Sequence, residues 1–405
     1  MIKSIQIKNF KSIVDLSLDL GTFNILIGEN GCGKSNILEA VAFGAAASND
    51  KLDYEYFNNR GIRATNPEFM YSAFSNPKKK KSTIINITTD ERENSYPYDL
   101  VSDPKNPKKW INKNKEVALK EMDKVFKAIY FEDNDKKREK VLDEISKGKD
   151  EILLLSDILK PYRKDKEYKE FFGNIYPTIL EKAFSTKEIS DYVIYSPEQS
   201  ILRKTELTAP IYPLGNKGEG LFQFLKELAF NKKNNKSLND IKHNLMLLDW
   251  YEDFDMPENL LKNEFSLKIK DKYLYETLKY FDERSTNEGF LFLLFYSTLF
   301  IAKSTPTFFA IENIDSSFNP KLCMRLTRSL TELTKKHNKQ VIVTTQNPAI
   351  LDGLNLKDDN QRLFVISRNS FGHTKAERIY YNQERTMKLS ELWTKGFIGG
   401  LPENF

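Results

Sequence analysis

Residues 23–35 read Phe23-Asn24-Ile25-Leu26-Ile27-Gly28-Glu29-Asn30-Gly31-Cys32-Gly33-Lys34-Ser35, and this stretch decides the fold. Its first five residues form a nearly continuous apolar run, typical of a strand covered on both faces. The next eight match G-x-x-x-x-G-K-[ST] in full, and Asn36, Ile37, Leu38, Ala40 and Phe43 carry the pattern of a following helix. Strand, glycine loop and helix in that order are the context in which this pattern cradles phosphates. The glycines let backbone N–H groups converge on an anion, and the helix N-terminus adds a favourable dipole. Lys34 is expected to reach the β and γ phosphates of ATP, and Ser35 to ligate Mg²⁺. A chance glycine turn would carry neither flanking element. The phosphate-binding set is therefore Asn30, Gly31, Cys32, Gly33, Lys34, Ser35 and Asn36, with Cys32 a small filler at a variable position.

Upstream, Ile2, Ile5 and Ile7 lead to Phe10, and Val14, Leu16, Leu18 and Leu20 recur at period two, which reads as a hairpin or meander with one buried face. A phosphate loop also needs an acid at the tip of a neighbouring strand to hold Mg²⁺. Phe308-Phe309-Ala310-Ile311 followed by Glu312 is the good candidate, so the two halves of the site are far apart in the chain. Lys321 to His337 reads as a helix, Val341 to Thr345 as the next strand, and Leu363 to Ser367 with Ala376 to Ile379 as a hairpin. Gly289 to Ala302 is apolar all round and reads as a buried helix.

Composition bounds the rest. The chain has 405 residues and 40% hydrophobic content, enough for two or three structural units. No stretch approaches the roughly 20 apolar residues of a membrane span. Met1 leads straight into a polar alternation, so no signal peptide is expected. Two cysteines and three dispersed histidines exclude a disulfide framework, a zinc site or a histidine metal cluster, and point to a reducing, cytoplasmic setting. The net charge of +5 is too mild to identify a nucleic-acid binder.

The middle of the chain changes character. Residues 75 to 115 are polar and basic, with a short strand at Thr83 to Thr88. Lys78 to Lys81 is a lysine run, and Lys105 to Lys115 holds further lysines with no intervening acid. These segments could contact a phosphate backbone with Trp110 stacking, or be a solvated loop. Beyond them the chain is highly charged and helical in pattern to about Ser190. Tyr192 to Tyr195 returns to strand character, a helix spans Leu221 to Phe230, Asn231 to Lys236 reads as a linker, and Phe265 to Tyr280 as sheet-edge strands. Gly396 to Pro402 is too apolar for a free tail and is expected to dock on the protein's own core or on a partner. Three regions follow: 1–75, the first part of an α/β head with the phosphate loop; 76–190, a basic and helical insertion; and 191–405, the second part of the head.

At this point the chain resembles a family. KSIQIKNFKSIVDLSLDLG, GENGCGKS, FFAIENIDSSFNP and VIVTTQNPAILDGL are similar to the ABC-type ATPases of the SMC, RecF and OLD group, AAA_21-like, and most of all to the compact ATPases of bacterial phage-defence operons such as the PARIS and Septu systems. The resemblance covers roughly residues 1 to 75 and 190 to 405. It implies a P-loop ABC-type head with a mixed sheet, ATP and Mg²⁺ as cofactors, and a homodimer or higher homo-oligomer. It places Glu312 at the Walker B acid, Asn313 where the catalytic glutamate is usual, Gln346 where the switch histidine is usual, and Asp315 in the D-loop that faces the other subunit. Asn287 and Gly289, in Ser285 to Gly289, fall on the signature segment supplied in trans. An amide at 313 cannot act as a base, while a glutamine at 346 can still donate a hydrogen bond, so binding is expected intact and hydrolysis slow. The resemblance implies a nucleotide-gated sensor, regulator or scaffold for an effector, a nuclease from the same operon, in anti-phage defence. The alternative is a DNA-binding SMC/RecF-like repair or maintenance ATPase. A stand-alone OLD-type nuclease is set aside because little chain follows Asp352, and a transporter ATPase because the halves are split by an insertion.

Overall fold

The computed structural model describes residues 1–74, 82–90, 96–117, 120, 187–205, 208–231, 234–257, 266–275, 277–384 and 386–401. Lys78 to Lys81 and most of the expected helical insertion lie outside the described residues.

Two sheets sandwich one helix. The first is antiparallel, in the order β2-β1-β4-β5-β6: β1 (Ile2–Phe10), β2 (Ile13–Asp19), β4 (Thr83–Thr89), β5 (Tyr96–Ser102) and β6 (Trp110–Asn112). The second is mixed and holds β3 (Phe23–Ile27), β7 (Ile194–Tyr195), β10 (Phe308–Ile311), β11 (Gln340–Thr344), β12 (Gln361–Arg368) and β13 (Thr374–Ile379), in the order β13-β12-β3-β11-β10-β7. Its pairs are parallel except β12 with β13. Between the sheets runs α1 (Lys34–Ser48), buried along nearly its whole length.

β3 is covered on both faces, as its unbroken apolar run requires. Phe23, Ile25 and Ile27 join one core with β10, β11 and four helices: α2 (Leu221–Phe230), α3 (Asn235–Leu245), α4 (Glu288–Ile301) and α5 (Pro320–His337). Leu26 points the other way, into the core shared with α1 and the antiparallel sheet. Every residue from Phe290 to Ile301 of α4 is buried, as an all-apolar helix must be. Gln340 stitches the sheets together: its Oε1 accepts from the Ile2 N–H at 2.9 Å and its Nε2 donates to the Ile2 and Gly21 carbonyls, each at 2.8 Å.

Three expectations are corrected. The boundary at residue 75 cuts a sheet, because β4 pairs with β1 from Ile2 to Lys8 and carries β5 and β6 behind it. Thr83, Ile85 and Ile87 alternate inward along β4, the strand expected at Thr83 to Thr88. Asn235 onward is helix rather than linker. β9 (Lys268–Asp271) pairs with β8 (Tyr251–Asp255) in a separate two-stranded ribbon, not at the edge of the main sheet.

Candidate nucleotide site

The loop after β3 turns through Gly28, Gly31 and Gly33, all at positive φ. Gly33, at φ 114, sits so close to Thr374 that any Cβ would collide with its hydroxyl. Thr374 belongs to a buried chain of hydrogen bonds that fixes the loop. Its Oγ1 donates to the Cys32 carbonyl at 2.9 Å and shares a hydrogen bond with Ser12 at 2.6 Å, and Asn36 Nδ2 donates to Ser12 Oγ at 2.7 Å. Asn36 thus braces the loop through β13 and the β1–β2 turn.

Lys34 is 8% exposed. Its Nζ donates to the Gly28 carbonyl at 2.6 Å and the Glu29 carbonyl at 2.9 Å, which lays the ammonium along the inner rim of the loop. Cys32 lies fully buried beneath it. Burial pushes the Cys32 thiol above its ordinary pKa, a rise the Lys34 charge only partly offsets.

Glu312 follows β10 directly, and β10 stands two strands from β3 in the sheet. Its Oε1 accepts a short hydrogen bond from Ser35 Oγ, so residues 277 positions apart meet at one point. Hydroxyl plus carboxylate is a hard oxygen donor pair, the set that suits Mg²⁺ completed by phosphate and water. Among the described residues no cluster of three or more His, Cys, Asp or Glu side chains gathers as a separate metal site.

Gln346, just past β11, donates from Nε2 to Asn30 Oδ1 at 2.7 Å. Gln346 therefore lies against the phosphate loop. Asn313 is exposed, at φ 53, with its N–H held by Thr344 Oγ1 at 3.0 Å. Asp315 accepts from Thr345 Oγ1 at 2.6 Å and so faces its own β11. Asn287 and Gly289 do not join this cluster. Asn287 caps α4, its Oδ1 accepting from the Phe290 N–H at 2.9 Å. Both residues line an open cavity of about 470 Å³ with Trp250, Ser317, Asn319 and Arg325.

One part of the site escaped sequence reasoning. Glu39 on α1 is 2% exposed and takes two cations: Lys11, in close contact, and Arg63 Nε at 2.6 Å. Burial opposes the Arg63 charge, but Glu39 and, more weakly, Glu312 hold its pKa above the ordinary value. Arg63 is thus a cation within the electrostatic reach of the Ser35–Glu312 pair. The available signal was a lone acid in the apolar helix run Ile37 to Phe43, since a buried carboxylate demands partners. Trp110 is corrected: it is buried at 4% exposure, edge-on to Phe43 with ring centroids 4.9 Å apart, and no base can stack on it. Lys115 in the same segment is paired with Asp50 at 2.9 Å.

A phosphate loop with its acidic strand two places away, split by a long intervening segment, defines a P-loop head of the ABC type. The chain belongs to the family described as AAA domain, putative AbiEii toxin, Type IV TA system, whose model matches residues 23–352. An SMC head domain solved with the C-terminal winged-helix domain of ScpA is similar over 95% of this chain and 99% of its own, at 15% identity and a TM-score of 0.51. An OLD nuclease of Thermus scotoductus is 44% identical over 41 residues, and the uncharacterized protein MJECL10 of Methanocaldococcus jannaschii is 54% identical over 43. Those matches span 10% of this chain each, and 8% and 20% of the two relatives' own lengths. Among the described residues no helix is long and apolar enough to cross a membrane.

Proposed function

We propose that the protein binds Mg²⁺–ATP at Lys34, Ser35 and Glu312, hydrolyses it slowly, and uses closure of two copies around the nucleotide to hold or release an effector in antiviral defence. The observation that carries the nucleotide reading is the Ser35–Glu312 contact, which unites the loop and the acidic strand from opposite ends of the chain. The loop N–H groups and Lys34 would hold the phosphates of ATP, and Ser35 and Glu312 would hold Mg²⁺, which when bound would supply neutralisation of the phosphate charge. Asn30, Gly31, Cys32, Gly33 and Asn36 form or brace the cradle, and Arg63 adds positive potential beside it. Gln346 senses the γ end through its bond to Asn30. Asn313 offers no base, so turnover is slow and the closed state long-lived. Asn287, Gly289 and Asp315 serve closure with the second copy. The defence setting and a nuclease effector are supported by the kinship with the AbiEii-type family and by the short match to an OLD nuclease.

The test begins with ATP titration of the wild type and Lys34→Ala. Loss of the one buried cation on the loop is expected to weaken binding at least about a hundredfold, because charge-assisted contacts to phosphate are the strong ones. Equal affinities would remove the site assignment. Affinity capture from the native host then separates the two roles: a co-purifying nuclease supports the effector reading, and bound DNA the alternative of an SMC-like maintenance ATPase.

A further inference from the structure

The chain's last described segment, from α6 (Leu389–Thr394) to Leu401, touches both the phosphate loop and the turn that follows Gln346. At one end, Ser390 is held by Asp352: its N–H donates to Oδ1 at 3.0 Å and its Oγ to Oδ2 at 2.8 Å. Asp352 belongs to the 3₁₀ turn Pro348–Gly353, which starts two residues after Gln346. At the other end, Gly400 lies against the first glycine of the phosphate loop. A Cβ on Gly400 would fall 2.8 Å from Val365 Cγ1, 3.3 Å from Gly28 Cα and 3.6 Å from Trp393 Nε1. Gly400 also has φ 76, so both its conformation and its space exclude a side chain. Between the two ends, Trp393 is 4% exposed and Ile398 is buried on the same core. The Trp393 Nε1–H is buried beside Gly400 without a hydrogen-bond partner.

From this we infer that residues 389–401 are a positioning strap: they hold the phosphate loop at Gly28 and tie it to the switch turn through Ser390 and Asp352, so that loop and switch move together. The physical reason is support. The carbonyl of Gly28 is an anchor of Lys34 at 2.6 Å, and a shift at Gly28 moves the cation that faces the phosphates. Binding groups keep their affinity only while neighbours hold them within about 0.5 Å of the productive place. None of the strap's residues is placed in contact with nucleotide, so its effect is exerted through Gly28 and Gln346. The inference rests on the reading that this loop binds ATP.

The experiment is titration of the full-length protein with a fluorescent ATP analogue and Mg²⁺, for the wild type, Gly400→Val and Ser390→Ala, with Trp393 emission followed in parallel and Trp393→Phe subtracted. Gly400→Val is expected to weaken binding by about tenfold or more, the usual scale for a supporting residue. Its Trp393 emission should shift to the red as the strap lifts from Gly28. Ser390→Ala should weaken binding less and leave the melting profile near that of the wild type, so a folding failure of the glycine variant would not decide the matter alone. Nucleotide should change the Trp393 emission in the wild type. If Gly400→Val and Ser390→Ala bind as the wild type does while Trp393 is red-shifted, the strap has no positioning role. If the wild type itself fails to bind the analogue, the nucleotide reading falls and the strap falls with it.

Discussion

At the residue scale, the chemistry turns on what stands at 313. Asn313 occupies a left-handed backbone position, φ 53, which Asn adopts more readily than Glu. The amide there is accordingly a choice of backbone as well as of chemistry. Asn313→Glu is expected to raise ATP turnover by about two orders of magnitude, roughly 10² being the low end of general-base help. It should also cost about 1 kcal/mol of stability through the strained backbone. Phosphate release and thermal melting on the same sample test both; unchanged turnover would mean the register of this strand is misread. The two cysteines provide a second residue-level test. Burial pushes the Cys323 thiol up to about 12, with Asp315 adding to the shift, and it raises Cys32 as well. Both should therefore resist a disulfide reagent at pH 8 in the native protein and react at once in denaturant. Their folded pKa values stand above the unfolded ones, so the stability they confer is complete below about pH 9 and is lost at higher pH, for Cys323 as pH rises toward 12. Denaturant melts at pH 7 and pH 10 should differ in that sense, and the difference should shrink in Cys323→Ala.

At the element scale, the parts most legible in the sequence were those with one dominant period. The apolar run Phe23 to Ile27 and the stretch Phe290 to Ile301 of α4 announced themselves because each buries its residues without exception, and the glycine loop by its fixed spacing of Gly28, Gly33, Lys34 and Ser35. The strands β5 and β6 were hidden by composition. Pro97, Asp99 and the lysines around Trp110 read as solvated chain, although Tyr98, Leu100 and Trp110 alternate inward. Trp110 rests on Phe43 and Tyr71, with centroids 4.9 and 5.1 Å away, so the short β6 closes the core over α1. Truncating it leaves a cavity against the helix that carries Lys34. Trp110→Ala is expected to cost about 3–5 kcal/mol, the range for a buried aromatic. A nucleic-acid platform at this position would instead give a stable variant with weaker oligonucleotide binding. Urea unfolding of the two proteins separates these outcomes. The Glu39–Arg63 bond was not legible because its partners come from separate segments, and only the fold brings Arg63 beside α1.

At the scale of the whole molecule, the proposed site draws on two places. Lys34, Ser35, Glu312 and Gln346 meet at the phosphate loop, while Asn287 and Gly289 line a separate cavity of about 470 Å³. The two places are joined within the chain by the segment after Glu312: Asp315 is bonded to Thr345 beside the switch, and Ser317 Oγ donates to Glu288 Oε2 at 3.0 Å beside the cavity. This arrangement is what a head needs if the nucleotide on one copy is to be covered by the second place on another. Gly289 tests it cleanly. A Cβ there would stand 3.4 Å from the Ser317 carbonyl and 3.5 Å from Asn287 Oδ1, ordinary contact distances, and the backbone φ is not left-handed. The chain therefore tolerates a side chain at 289, which would protrude where the second copy must approach. Gly289→Leu is expected to keep the wild-type melting temperature within about 2 °C, a change of no more than roughly 2 kcal/mol for a chain of this size, and to bind ATP as a single copy with unchanged affinity. In Mg²⁺–ATP the wild type should double its mass by light scattering, and the variant should not. A variant that dimerises with ATP as fully as the wild type would show that this cavity is not the second half of the site.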